Sequence, residues 1–398
     1  MTLFDGTNAP TLLIEIDYGW RNIFTIGISP LNSSTDVLGG TAGINWQTIA
    51  STDARSISIR RGRTREDQAF QPGQMTLVLD NRSGDYDPSN PSSTYIWNGY
   101  SVLTRGTKIR ISATYGATTS YLFTGFIEQV IADQSLDSVA TIVATDALSI
   151  FGANTLATIA SSYSGDTTSA RIARIINDFT TNSSYPGLFA TSLDGSRTMQ
   201  PTTYGKTVLA LCDEVAACEF GTFFVAANGT TTLIAYENLK TTTNRFTLSD
   251  TRSAGTIEYD VIHTDPGARF MFNTCILTQY SGYTQTASNL LATSRFGTYT
   301  RNVTAPLLVD ADAQTVAGYY ASRTQYPIER IDRVEFDALG LGSLWTSVLL
   351  ADIADRATII RTTVYSRTLN VTNIIESITH DITPNSWRIG LDLSPSTF

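Results

Sequence analysis

Four arginines fall within six residues, Arg60, Arg61, Arg63 and Arg65, and Glu66 and Asp67 follow at once. A guanidinium is a planar fork that matches carboxylates and phosphates. A cluster this dense suits contact with a partner protein's acidic side chains, or with nucleic acid. The other reading is a solvated turn partly neutralised by Glu66 and Asp67. A second group, Asp80, Asn81, Asp85 and Asp87, offers oxygen ligands of the kind calcium takes. An EF-hand loop needs Gly at its sixth position and Glu at its twelfth. Counted from Asp80, those positions hold Asp85 and Pro91, so the pattern fails. Cys212, Cys218 and Cys275 form no C-x-x-C, and only His263 and His380 could join them, which is a poor set for four-ligand zinc. Buried, reduced thiols are the expectation, in keeping with a reducing compartment. His380 lies in an alternating run with Asp381 pointing to the other face, and reads as a structural histidine. No G-x-S-x-G, H-E-x-x-H or G-x-x-x-x-G-K-[ST] occurs. Neither a catalytic group nor a cofactor nor a metal is expected.

The elements around the arginines are strands. Ile57 and Ile59 belong to an alternating run that leads into the cluster, and M-T-L-V-L over 75–79 follows a Pro72-Gly73 turn. The prediction is a long hairpin with one buried face, a charged exposed rim, and Phe70 plugging its turn end. Asp80 or Asn81 would tie down the exit loop through side-chain to backbone bonds.

Earlier in the chain, residues 11–17 and 22–28 read as strands, and 29–54 as a long Gly/Ser/Asn-rich contact loop with Trp46. Residues 81–106 form an irregular loop. Strands follow over 108–115, 121–127 and 138–145. Beyond Asp146 the texture changes. A short helix is predicted over 147–151, and an amphipathic one over 170–179 with Ile172, Ile175, Ile176 and Phe179 on one stripe. Arg171 and Arg174 fall on its opposite face. A loop carries Tyr185, Pro186 and Gly187. Another helix spans 206–217, and Asn228-Gly229 joins a strand pair over 219–225 and 231–236. Strands are expected again over 257–263, 268–279, 298–303, 328–336, 357–366, 370–383 and 387–393. A helix covers 310–325, a short helix or loop covers 344–354, and 280–297 is a contact loop. The fold class is mainly β within α+β. Two antiparallel barrel or sandwich domains, 1–150 and 241–398, flank a helix-containing α/β middle region, 151–240, with a β-hairpin.

The chain has 398 residues and a net charge of −9, with 16% charged residues, against about 25% in ordinary domains. A duplex-DNA binder draws much of its affinity from neutralising phosphate, so this balance argues against a DNA-binding role. An acidic wall along which DNA slides is compatible with it. The first residues lack the charged and apolar stretches of a signal peptide, and no run reaches the roughly 20 apolar residues of a membrane span.

Two stretches carry a family resemblance. The first joins the arginine-rich turn, an aromatic, Gly73, a strand and D-N-R-S-G-D-Y-D-P over 80–88. The second is I-I-E-S-I-T-H-D-I-T-P-N-S-W-R-I-G-L-D-L-S-P over 374–395. Together they bracket most of the chain, and the sequence resembles phage minor tail proteins of the tail-tip (baseplate) hub group of long-tailed phages. The resemblance implies two related barrels joined by a small α/β insertion, and a homotrimeric ring that closes or continues the tail tube. It implies a virion protein of the tail tip, assembled in the bacterial cytoplasm. Its expected partners are further copies of itself, the distal tail ring protein, the tape-measure protein and a tail fibre or spike, with DNA only in transit and no membrane insertion. The same residues leave open the distal tail ring protein itself. They also leave open a carbohydrate-binding or depolymerising tail protein whose five tryptophans and eighteen tyrosines stack on sugars.

Overall fold

Alternation of apolar and polar residues recurs along the chain, and strands with one buried face are its commonest regular element. The computed structural model describes residues 9–18, 45–97, 99–157, 163–182, 189–267, 271–362 and 368–396. The first β region comprises β1 (Thr11–Asp17), β2 (Trp46–Ile49), β3 (Ala54–Gly62), β4 (Gln71–Asp80), the short β5 (Ile96–Trp97) and β6 (Tyr100–Ser101), β7 (Lys108–Tyr115), β8 (Thr118–Ala132) and β9 (Val139–Thr145). The middle contains α1 (Ala147–Ala153), α2 (Thr168–Asn182), β10 (Thr191–Leu193), α3 (Val208–Glu219), β11 (Thr222–Val225), β12 (Thr231–Ile234) and α4 (Tyr236–Leu239). Next come β13 (Asn244–Ser249), β14 (Ile257–Glu258), β15 (Val261–Asp265), β16 (Thr274–Gln279), β17 (Thr284–Ser288), α5 (Leu290–Phe296), β18 (Thr300–Ala305) and α6 (Asp310–Arg323). The chain closes with β19 (Arg330–Asp337), α7 (Trp345–Leu349), β20 (Arg356–Thr362), β21 (Thr368–Thr383) and β22 (Ser386–Pro395).

The mainly-β, α+β class read from the sequence is the class observed. The two β regions are hydrogen-bonded into one 14-stranded sheet in the order β14-β13-β20-β21-β3-β4-β9-β8-β7-β1-β2, with β22, β19 and β15 branching from β21. The seam is β21. Its first half pairs with β20 and its second half with β3, while β22 runs along its other edge. No pairing among the described residues closes a barrel. One core lines this sheet and draws on both ends of the chain, from Ile14 and Ile109 to Trp345 and Trp387. A second core lies under α1, α2, α3 and α6 and includes Phe151, Phe179, Leu211 and Leu277.

Several local expectations change. Pro72 and Gly73 lie inside β4 and make no turn. Residues 280–297 are not a loop: they contain β17 and α5. Of the strand expected over 268–279, residues 268–270 lie outside the described residues, and the described part begins at Thr274 and runs to Gln279. Arg171 does not face solvent from α2. It is fully buried, 3.1 Å from Asp166 and hydrogen-bonded to Thr202 Oγ1 at 2.5 Å and to the Gln200 carbonyl at 3.3 Å. The segment around residue 200 folds over that helix face and supplies acceptors that a helical wheel cannot show. The expected strand over 22–28, most of the 29–54 loop and the turn at 185–187 lie outside the described residues.

Candidate functional site

The arginine cluster divides between strand and turn. The inward positions of β3 are Ile57, Ile59 and, two residues on, Arg61. Arg61 is 3% exposed. Its Nε donates to the Leu122 carbonyl at 3.0 Å, and its Nη1 lies 2.8 Å from Asp352 Oδ1. Asp352 Oδ2 in turn accepts the Ala227 N–H at 2.9 Å. A single guanidinium therefore links β3 to β8 and, through Asp352, to the β11–β12 hairpin. Register shifts at Arg60/Gly62 and Ile375/Ser377 place β-bulges where the cluster meets β21.

Arg63 donates to Glu376 at 2.7 Å, and its guanidinium lies 4.5 Å from the Phe70 ring centroid. Phe70 is buried, as expected for a plug, and stacks on Phe224 at 5.8 Å. Glu376 also accepts from Ser394 Oγ at 2.5 Å. Arg65 chelates Asp67 at 2.7 and 3.0 Å. Glu66 does not neutralise the turn. It reaches Arg323 at 2.9 Å and also accepts from Arg330. Burial works against its charge, but these two cations hold Glu66 below the ordinary carboxylate range. Arg60 is the exposed member, bonded to Thr64 Oγ1 at 3.0 Å. The charged rim predicted at this hairpin is thus largely turned inward, because bulges and alternation aim Arg61 and Arg63 at carboxylates from the far end of the chain.

Beside the cluster lies a recess of about 220 Å³, with Arg63, Phe70, Asp213, Phe220, Arg301 and Glu376 in its wall. Burial pushes the Asp213 carboxyl up to about 6. Asp213, Arg301, Asp352 and Glu376 are absent from the sequence reading. Only Glu376 carries a signal, a charge inside the apolar run I-I-E-S-I.

The other marked residues are structural in geometry. Asn81 Oδ1 accepts the Tyr86 N–H at 2.8 Å, and its amide donates to Ser138 Oγ at 3.1 Å, tying down the exit loop. Asp80 pairs with Arg82 and with Arg55 at 3.2 Å, and Asp87 accepts from Ser89 at 2.8 and 2.7 Å. Asp85 stays outside these pairs, so the four oxygen-bearing residues do not converge. Among the described residues no three His, Cys, Asp or Glu side chains are placed to hold a metal. Burial, aided by the Arg61 cation, lowers His380 to about 3. The neutral ring accepts the Trp387 indole N–H at 3.3 Å, while Asp381, on the other face, accepts from Ser58 at 2.6 Å. His263 lies on β15 opposite Arg333. The three cysteines are free and buried.

Neither a protein-family model nor a curated protein matches the sequence. Solved structures do. A tail protein from Neisseria meningitidis MC58 superposes with a TM-score of 0.59 at 10% identity, over 88% of this chain and 93% of its own. The 43 kDa tail protein of prophage MuSo2 from Shewanella oneidensis gives 0.59 at 10% identity, over 98% and 99%. The chain has the fold of these tail proteins. Prophage tail protein gp18 from Listeria monocytogenes EGD-e shares that tail-protein fold at a TM-score of 0.52 and 10% identity, over 97% and 95%. The resemblance carried by residues 80–88 and 374–395 therefore extends, at the level of fold, along nearly the whole chain. The two stretches are adjacent parts of one structure, since β3, the hairpin partner of the strand that leads into 80–88, pairs with β21.

Proposed function

We propose that this chain is a structural component of a phage tail, the hub at its distal tip. Three copies form a ring that closes or continues the tube and anchors the distal tail ring protein, the tape-measure protein and a fibre or spike. DNA meets it only in transit. The observation that carries this reading is the end-to-end likeness to the MuSo2 tail protein, with 98% and 99% of the two chains covered. The braced cluster fits a mechanical role, because two of its arginines, Arg61 and Arg63, tie β3 and its turn to carboxylates from the far end of the chain, Asp352 and Glu376. Electron cryo-microscopy of purified particles tests the proposal. Three copies about a three-fold axis at the tip are expected. Six copies about a six-fold axis would transfer the assignment to the distal tail ring protein.

Of the four candidate interface residues, Arg60 is the one a partner reaches. Arg60→Ala is expected to leave stability within about 0.5 kcal/mol, as at other exposed positions, and to lower incorporation of the protein into tails. Incorporation equal to wild type, measured by quantitative immunoblotting of purified particles, would remove Arg60 from the interface.

A further inference from the structure

Helix α5 shows water the side chains that a surface helix ordinarily buries. Ala292 is fully buried, while Leu290 and Leu291 in the first turn are 80% and 74% exposed. The helix is fixed at both ends by one residue. The Asn273 carbonyl accepts the Asn289 N–H at 2.9 Å, and the Asn273 side-chain amide donates to the Gly297 carbonyl at 2.7 Å. Of the fifteen large apolar side chains exposed among the described residues, seven fall between positions 280 and 309. Single exposed leucines need no explanation, but such a concentration marks a contact surface. The same stretch is cationic. Residues 266–309 hold three arginines and no lysine, aspartate or glutamate, in a chain of net charge −9. Arg295, in the last turn of α5, is exposed and has no ion pair among the described residues.

A groove of the opposite kind lies elsewhere on the chain. It holds about 580 Å³ between the turn that precedes β14 and the connection from β19 to α7. Leu339, Leu341 and Leu344 give it an apolar lining, and Glu258, Asp260 and Asp337 stand in its wall against one cation, Arg252. Asp260 lies 3.6 Å from Arg388, whereas Glu258 and Asp337 have no ion pair among the described residues. No residue of α5 lines the groove, so the helix does not fill it within one copy.

We propose that α5 of one copy seats in this groove of a second copy. Leu290 and Leu291 lie against the three leucines, and Arg295 faces the acidic wall. The two surfaces match in both respects, apolar to apolar and cation to carboxylate, which singles out another copy of this chain as the occupant. Two different surfaces make a head-to-tail contact, and such contacts close into rings or run on as filaments. Closure after three copies rests on the hub reading above; the contact itself does not.

Sedimentation velocity of the full chain, up to about 100 µM, tests it. Wild type associates as its concentration rises. Leu290→Asp combined with Leu291→Asp disables the helix side, and aspartate suits the first turn of a helix. Leu339→Arg disables the groove side by setting a cation against Arg295. The first weakens self-association about hundredfold, as loss of two buried leucines implies, and the second about tenfold or more. Both leave the melting temperature as in wild type, because the substituted side chains are exposed. Mixed in equal amounts, the two variants form dimers and nothing larger, since each pair retains one intact helix and one intact groove. A wild type that stays monomeric throughout overturns the proposal, as does a mixture no more associated than its components. Wild-type trimers that both variants also form overturn this contact and leave the hub reading in place. Six-copy rings that both variants abolish uphold the contact and remove three-fold closure.

Discussion

Gly62→Ala is expected to destabilise the protein by roughly 2–6 kcal/mol, the sum of backbone strain and overpacking of about 1–3 kcal/mol each. Gly62 ends β3 with φ +106°, in the region that side chains other than glycine's rarely adopt. A Cβ there would stand 2.1 Å from the Glu376 carbonyl oxygen and 2.6 Å from Ser377 Cα. Both obstacles are backbone, so no rotamer change relieves them. The pairing of Gly62 with Ser377, at one end of the β3–β21 seam, has to open. Gly116→Ala is the control. It also has positive φ, at +59°, but its Cβ would meet nothing within 4 Å, so only the conformational part of the cost remains, about 1 kcal/mol. Urea unfolding midpoints measure both. Equal midpoints for the two variants would show that β3 does not lie against β21 as described.

Glu66→Gln is expected to cost about 3–5 kcal/mol, the usual penalty for removing one partner from a buried ionic group. Its carboxylate is shared by Arg323 and Arg330, which are 6% and 12% exposed. The two cations would lose the charge between them. The effect depends on pH with a definite sign. Burial opposes ionisation of Glu66, but the arginines outweigh it and the folded value lies below the ordinary 4.5. A depressed carboxyl stabilises the fold fully above its unfolded value, and that contribution is lost as pH falls through the folded one. The gap between wild type and Glu66→Gln should therefore be constant from neutrality to about pH 5 and shrink on further acidification. Denaturant midpoints at pH 7, 5, 4 and 3 would check it, and a gap that widens toward acid would contradict the assigned pairing.

Alternation with one buried face is a strong signal, and β1 and β7 appear at the residues where the pattern places them. The stripe Ile172, Ile175, Ile176 and Phe179 is buried along α2, and the Asn228-Gly229 turn joins β11 to β12. Two of the failures come from charge being read as exposure. Arg61 continues the inward series Ile57, Ile59 by simple parity, yet a charged residue in a basic run suggests a turn. Arg171 is comparable, since its acceptors come from a segment about thirty residues downstream. The polar run T-Q-T-A-S became β17 although it lacks an apolar face, because β16 supplies the pairing. Whether strands close into barrels depends on which edges meet. Local pattern does not encode that, and here the edges form one branched sheet. Of the candidate site, the four arginines of the hairpin and the Phe70 plug were legible in the sequence. Glu376, Asp352, Arg323 and Arg330 come from the distal part of the sequence.

The pairing of β3 with β21 also sets a timetable for synthesis. Ser58 and Asp381, bonded across that seam, are 323 positions apart. At about 5–20 residues per second, the ribosome delivers β21 roughly 16–65 s after β3. For that interval one edge of β3 has no mate, and an uncovered strand edge invites pairing with another nascent chain. Long-range closure of this kind slows folding. Yield from expression should therefore respond to chaperone supply and to growth temperature more steeply than the stability of the finished protein would suggest.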